Sequence, residues 1–330
     1  MRIAFHYGSL AGGGVERRMA DLYRHLTRRG DDVWIVALSL LPGGRDLLCR
    51  QGGVPEERIL VSPPETPFNQ TFHIWSRAAL QDLAPDIIDA QWCATPMEYP
   101  STAVATIHGE IPMPAPGIFE GILFVSASLV MPLDGQSGPV AAIENWVDLQ
   151  QYPFHEDLPT RGVCFLGREY KSENADIIAR VWGGTIGAYS DGWVGEHPPN
   201  VIYRGYGDPR EVFPRYRVCF TSGLAAMESL AAGRLTIVGQ PHRFLRGDYR
   251  LATPERMPEM SPRRFGDMGR MEEVPAPMLE QRLAEFQAAL EPGDWLEERR
   301  AIRAFLAEHH DAATQIALVR AFYEEVLADA

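Results

Sequence analysis

Residues Tyr216–Gly239 read YRVCFTSGLAAMESLAAGRLTIVG, and their order decides the fold. Val218–Phe220 is a short β-branched and aromatic run, and the polar turn Thr221-Ser222-Gly223 follows it. Leu224–Ala232 is built of strong helix formers and stops at Gly233, and Leu235–Val238 is a second apolar run with strand propensity. Strand, glycine turn, helix and strand make one βαβ unit of a parallel sheet. Such a turn aims free backbone N–H groups and the positive helix end at the carboxyl edge of the sheet, which makes an anion site. Glu228 stands one turn into the helix, where a carboxylate accepts hydrogen bonds from two neighbouring hydroxyls, as a ribose presents them. Read alone, it is more ordinarily a solvated helix residue.

The same logic opens the chain. Arg2–Tyr7 reads as a buried strand, and it runs into Gly8-Ser9-Leu10-Ala11-Gly12-Gly13-Gly14. A helix is predicted from Val15 to Arg29, with Val15, Met19, Leu22 and Leu26 on one face and Gly30 as its cap. Val33–Leu38 is the next strand. The turn is not GxGxxG, and no acidic residue ends the second strand, so a dinucleotide-binding oxidoreductase is weakly supported. Three consecutive glycines are expected where a backbone approaches something closely, here the edge of a phosphate site at Gly13 and Gly14.

Further strands are predicted at Arg58–Val61, Asp86–Gln91, Thr102–His108, Ile122–Ser126 and Ala141–Glu144, with a helix at Phe72–Leu83. His108 ends its strand at the edge where open α/β sheets bind ligands, though a lone histidine there is as readily structural. A polar, proline-bearing stretch from Leu149 to Arg161 reads as a linker. After it, Gly162–Leu166 is a strand followed by Gly167-Arg168-Glu169-Tyr170-Lys171 and a helix capped by Ser172. Two cations before a helix N-terminus suit a diphosphate, Arg168 as a fork of donors and Lys171 as a point charge. Val201–Arg204 ends at Gly205-Tyr206-Gly207, and Asp208 caps a short helix. Gln240–Pro277 shows no period, and helices at 278–289, 295–308 and 312–327 close the chain.

Composition bounds the function. With 330 residues, 45% hydrophobic and 23% charged, the chain is an ordinary globular protein long enough for two domains. A net charge of −13 disfavours nucleic acid and general attraction to anionic membranes. Cys49, Cys93, Cys164 and Cys219 form no CxxC pair, so neither a zinc ribbon nor a redox motif is supported. No apolar run approaches the length of a membrane span, no signal peptide is visible, and a cytoplasmic location is expected. Arg17, Arg18, Arg24, Arg28 and Arg29 gather on the first helix, as a solvated face or as a surface for an anionic lipid or acidic acceptor.

In order and spacing, these motifs resemble the family 4 glycosyltransferases of the GT-B fold, the retaining "group 1" enzymes that use nucleotide sugars. AGGGVERRMADLYRHLTRRGDDVWIV is similar to the family's opening, ATIHG to its active-site histidine segment, and ENWVDLQQYPF to the segment before its linker, with Trp146 in place of glycine. FLGREYK is similar to its diphosphate motif, and GLAAMESLAAGRLTIV to its donor-site helix. The resemblance implies an acceptor-side Rossmann-like domain at 1–150, a nucleotide-sugar domain at 151–310 facing it across a cleft, and a terminal helix at 311–330 crossing back to the first. It implies that Glu228 holds the ribose, and that Ser222, Gly223, Leu224, Gly205 and Tyr206 line the donor site. Arg168 and Lys171 would neutralise the diphosphate, Gly13 and Gly14 close on it, and His108 hold the sugar or acceptor at the reacting carbon. It implies no metal and no cofactor beyond a nucleotide-sugar donor such as a UDP- or GDP-sugar, with a hydroxyl-bearing acceptor of open class.

The chain departs from that pattern. The family carries a second glutamate eight positions before the first, where this chain has Phe220. That carboxylate ordinarily meets the donor sugar. Arg168 and Lys171 also stand closer together than in the family. A nucleotide-binding relative without transfer activity therefore remains the alternative reading.

Overall fold

The computed structural model describes residues 1–64, 66, 70–91, 97–108, 118–130, 138–160, 162–167, 184–189, 199–205, 207–239, 250–262, 265 and 276–330. The chain divides into two compact units, one of Met1–Asn145 with Ala312–Ala330, the other of Trp146–Asp311.

In the first unit the elements are β1 (Arg2–Leu10), α1 (Gly14–Arg28), β2 (Asp32–Leu40), α2 (Pro42–Arg45), β3 (Ile59–Val61), α3 (Gln70–Leu83), β4 (Ile87–Gln91), β5 (Ala103–Ile107), β6 (Gly121–Phe124) and β7 (Val140–Ala142). Among the described residues the strands form one sheet of order β3-β2-β1-β4-β5-β6-β7, parallel throughout. Both faces of a parallel sheet are covered, and β4, β5 and β6 are accordingly buried along their whole length. The expected turn at Gly8 lies further on, because Ser9 and Leu10 still pair with Ser39 and Leu40 of β2.

The second unit contains β8 (Val163–Leu166), β9 (Ile186–Tyr189), β10 (Val201–Tyr203), α4 (Pro209–Val212), β11 (Val218–Thr221), α5 (Leu224–Ala231), β12 (Leu235–Val238), β13 (Arg250–Leu251), α6 (Met257–Met260), α7 (Ala276–Leu290) and α8 (Leu296–His309). Its sheet order is β10-β9-β8-β11-β12-β13, with β13 alone antiparallel. β9 carries no alternation to reveal it, and β13 and α6 lie in the stretch expected to be irregular. Asp208 caps α4 by accepting from the N–H of Arg210 at 3.0 Å.

The terminal helix, Ala312–Asp329, belongs to the first unit. Arg320 Nε meets Asp31 at 2.9 Å, and that carboxylate also holds the N-terminal ammonium. A Cβ on Gly121 of β6 would lie 2.6 Å from Val326 Cγ2, so this close packing requires glycine there.

Each sheet has one place where the chain first winds outward in one direction and then restarts in the other. It lies between β1 and β4 in the first unit and between β8 and β11 in the second. Crevices at the carboxyl ends of such strand pairs are where open α/β sheets bind ligands.

On β1, His6 is buried beside Phe72, with its Nδ1 3.1 Å from the Tyr99 hydroxyl. Burial, with His73 nearby, lowers its pKa from 6.5 to about 4. Between those values the unfolded chain binds a proton that the folded chain refuses, so stability falls as pH drops through that window. The shift corresponds to about 3 kcal/mol. Urea titrations at pH 7 and pH 4 are expected to show this loss, and His6→Gln to flatten it. Equal slopes for the two proteins would assign the acid sensitivity to other groups.

Candidate active site

The switch point of the second unit is built from the ends of β8 and β11. The Thr221 hydroxyl donates to the carbonyl of Leu166 at 3.0 Å, tying the two strand ends together. That hydroxyl is thereby used within the fold. Gly223 follows with φ +63 and ψ −136, a conformation that a side chain would strain, and it begins α5. Its N–H donates to the carbonyl of Phe265 at 2.8 Å. The expectation that Gly223 offers this N–H to a phosphate is corrected: the group is spent on holding the turn. The first amides of a helix have no partner within it. Among the described residues no acceptor meets the N–H of Leu224 or Ala225. These two amides are the ones the turn leaves open at the carboxyl edge of the sheet.

Glu228 is 4% exposed, and its neighbours in α5 from Ala226 to Ala231 are buried with it. The solvated reading therefore fails. A buried carboxylate is costly unless its oxygens are satisfied. Phe220, eight residues earlier, packs in the core of the unit, its ring 5.1 Å from that of Phe286 and perpendicular to it. No carboxylate can be presented from that position. Gly205 lies two residues past the end of β10, on the same carboxyl edge. Ser222 is half-buried in the turn. Arg168, Lys171 and Tyr206 lie outside the described residues.

In the first unit, the glycine turn Ala11–Gly13 carries its own anion. Glu16, wholly buried in the first turn of α1, accepts from the N–H of Ala11 at 2.8 Å, Gly12 at 3.1 Å and Gly13 at 2.9 Å. The amide of Gly13 is thus taken, whereas Gly14, first in α1, has no acceptor among the described residues. A glutamate three residues after a helix cap reaches back in just this way, and the Gly-x-x-Glu spacing could have shown it. One residue past β5, His108 is half-buried, with Nε2 2.8 Å from Oε1 of Gln91 at the end of β4.

Residues 12–151 match the family described as Glycosyltransferase Family 4. Over those residues the chain is similar to a family 4 glycosyltransferase domain. Solved structures extend the likeness over the whole chain. A glycosyltransferase from Rickettsia africae superposes with a TM-score of 0.66 at 14% identity, covering 100% of this chain and 99% of that one. The pneumococcal O-GlcNAc transferase GtfA, in complex with UDP and GlcNAc, gives 0.59 at 10% identity and 99% of both chains. A variant of S. aureus TarM, in complex with fondaparinux, α-GlcNAc-glycerol and UDP, gives 0.65 at 8% identity, covering 98% and 99%. At such identities the likeness is one of fold, and the fold is GT-B. No curated protein sequence matches the chain. The match over residues 12–151 and the fold of the whole chain are both ones that glycosyltransferases have.

The arginines on α1 do not form one surface. Arg18 is buried and lies near Tyr323, Asp89 and Asp21, and desolvation lowers its pKa to about 10 against their attraction. Arg24 pairs with Asp21, and Arg17 reaches Gln51 at 3.1 Å. Asp89 of β4 accepts from Thr106 at 2.5 Å and from the Tyr323 hydroxyl. Sequence reading passed over Glu16, Asp89 and Gln91, because nothing in composition marks a buried polar residue inside a strand. Among the described residues no group of His, Cys, Asp and Glu could hold a metal ion, and no helix is long and apolar enough to cross a membrane.

Proposed function

We propose that the chain moves a sugar from a nucleoside-diphosphate sugar to a hydroxyl acceptor, with retention at the anomeric carbon and without a metal or further cofactor. The observation that carries this reading is the buried Glu228 carboxylate, one turn into a helix whose Leu224 and Ala225 amides are open among the described residues. One end of that arrangement suits a ribose and the other a diphosphate. The second unit then binds the donor, and the first, with His108 and Gly14, serves the acceptor and the reacting sugar. UDP in the GtfA and TarM complexes supports a nucleotide ligand for this fold.

The chemistry follows charge. Breaking the bond between the anomeric carbon and the diphosphate oxygen leaves negative charge on the diphosphate. Fixed donors and the cations Arg168 and Lys171 then stabilise the transition state more than the ground state. A second reading, a nucleotide binder that no longer transfers, is favoured by one observation. Phe220 packs in the core where the family carries a sugar-binding carboxylate.

A thermal-shift and calorimetry panel of UDP, GDP, ADP and TDP with their sugars separates these readings. One base is expected to stabilise the protein by about 2.7 kcal/mol at a hundred times its dissociation constant. Because Phe220 offers the sugar no partner, the free diphosphate and its sugar conjugates are expected to bind within about threefold of one another, since a site without a hydrogen-bonding group cannot select for its partner. Slow transfer from more than one of those sugars supports the transferase, and tight binding without turnover supports the binder. A response to none of these ligands removes both readings.

A further inference from the structure

We propose that a cavity at the amino edge of the second unit's sheet binds a small zwitterion, an α-amino acid with an apolar side chain. The cavity holds about 360 Å³, a size that suits a small molecule, and its lining belongs wholly to the second unit. Its walls are the segment leading into β8, the residue before β11 and the connection from α7 to α8. The Gly223 turn stands at the other end of β11, so the cavity is separate from the candidate donor site.

Arg217 sets the charge of the floor. It stands just before β11, is 4% exposed and lines the cavity. Its Nε donates to the carbonyl of Ala289 at 2.8 Å and its Nη2 to that of Glu291 at 2.6 Å, which ties the end of α7 to the sheet. Its Nη1 meets no acceptor among the described residues. Arg299 of α8 lines the same cavity and is equally buried, with its donors spent on the carbonyls of Trp295, His155, Gly233 and Glu156. Burial lowers the pKa of both side chains, and the charge of Arg217 lowers that of Arg299 further. Neither forms an ion pair with a carboxylate among the described residues. Two neighbouring cations faced only by carbonyls favour an anion, and Nη1 of Arg217 is the donor left to hold it.

The mouth has the opposite sign. Asp157 and Asp294 line it, exposed and without an ion pair among the described residues. The backbone holds Asp294 in place, its Oδ1 accepting from the N–H of Leu296 at 3.1 Å. A plain dianion such as phosphate is repelled by these carboxylates, whereas a ligand with a carboxylate for Arg217 and an ammonium for Asp157 and Asp294 is matched at both ends. Leu158, Trp295 and Leu296 supply the apolar part of the wall, and the first two also pack against the core of the unit. A hydrocarbon side chain set against them leaves water, which selects an apolar amino acid over glycine or a charged one.

Calorimetry on the full chain tests this with leucine and phenylalanine. The controls are the same molecules without the ammonium, isocaproate and hydrocinnamate, and without the carboxylate, isoamylamine and phenethylamine, together with inorganic phosphate. At least one of the two amino acids is expected to bind at millimolar concentration or below, and its analogues about tenfold more weakly, the worth of one charge-assisted hydrogen bond. Arg217→Met should weaken the amino acid by a similar factor. Because Arg217 also secures α7, the double variant Asp157→Asn, Asp294→Asn is the second test, and its asparagine at 294 still caps α8. It should weaken the amino acid several-fold and leave the ammonium-free acid unweakened. Glu228→Ala should leave amino-acid binding unchanged. Binding of neither amino acid, binding of the ammonium-free acid or phosphate as tight as that of the amino acid, or binding that the double aspartate variant does not weaken overturns the proposal.

Discussion

Glu228→Ala is expected to weaken binding of the cognate nucleoside diphosphate by about 1.5–3 kcal/mol, the worth of hydrogen bonds to a charged group. In the fold the residue sits where α5 has just left the sheet edge, 4% exposed, beside amides that meet no acceptor among the described residues. A ribose meeting that carboxylate offers it two neighbouring hydroxyl donors. The charge matters as well as the shape. Glu228→Gln keeps an acceptor oxygen but loses the charge-assisted part of both bonds, so its loss should fall between wild type and alanine. Calorimetry with the diphosphate on all three proteins, with far-UV spectra to confirm folding, measures this directly. Unchanged affinity in a folded Glu228→Ala protein would remove the ribose assignment and with it the main support for the donor site.

The frame of the molecule was legible because its strands are short apolar runs closed by glycine or polar turns, and its helices carry one apolar face. Tyr216–Gly239 shows this most clearly: β11, α5 and β12 fall where propensity puts them, and Gly223 and Gly233 are the residues of positive φ at either end of α5. What stayed hidden depends on contacts distant in sequence. Gly223 looked like a phosphate ligand because a glycine before a helix ordinarily frees its amide, and only the fold brings Phe265 to occupy it. Gly13 misled in the same way until Glu16 was seen to fill the turn. The arginines of α1 looked like one charged face, yet Arg18 points inward, because Asp89 and Tyr323 come from elsewhere in the chain to meet it.

That last group carries the largest expected effect on stability. Asp89 lies in the middle of β4 with no exposed surface, and accepts hydroxyl hydrogen bonds from Thr106 on the next strand and from Tyr323 on the terminal helix. Arg18 brings the balancing charge from α1. One carboxylate therefore joins two strands, the first helix and the last. Asp89→Ala leaves two hydroxyls without their acceptor and the buried guanidinium of Arg18 with less opposing charge. Removing one partner of a buried charged group is costly for that reason, and about 3–5 kcal/mol of unfolding free energy should be lost. Tyr323→Phe removes one hydroxyl and keeps the ring in place, so its cost should be nearer 1 kcal/mol. The two losses should not add, because both act on one hydrogen bond. Burial raises the carboxyl's pKa, so its protonated form is favoured on folding and its contribution to stability declines as pH rises through the folded value. Urea unfolding of the single and double variants gives the coupling. Additive losses, or a loss below 1 kcal/mol in Asp89→Ala, would show that the terminal helix is held by its apolar contacts and the Asp31–Arg320 pair instead.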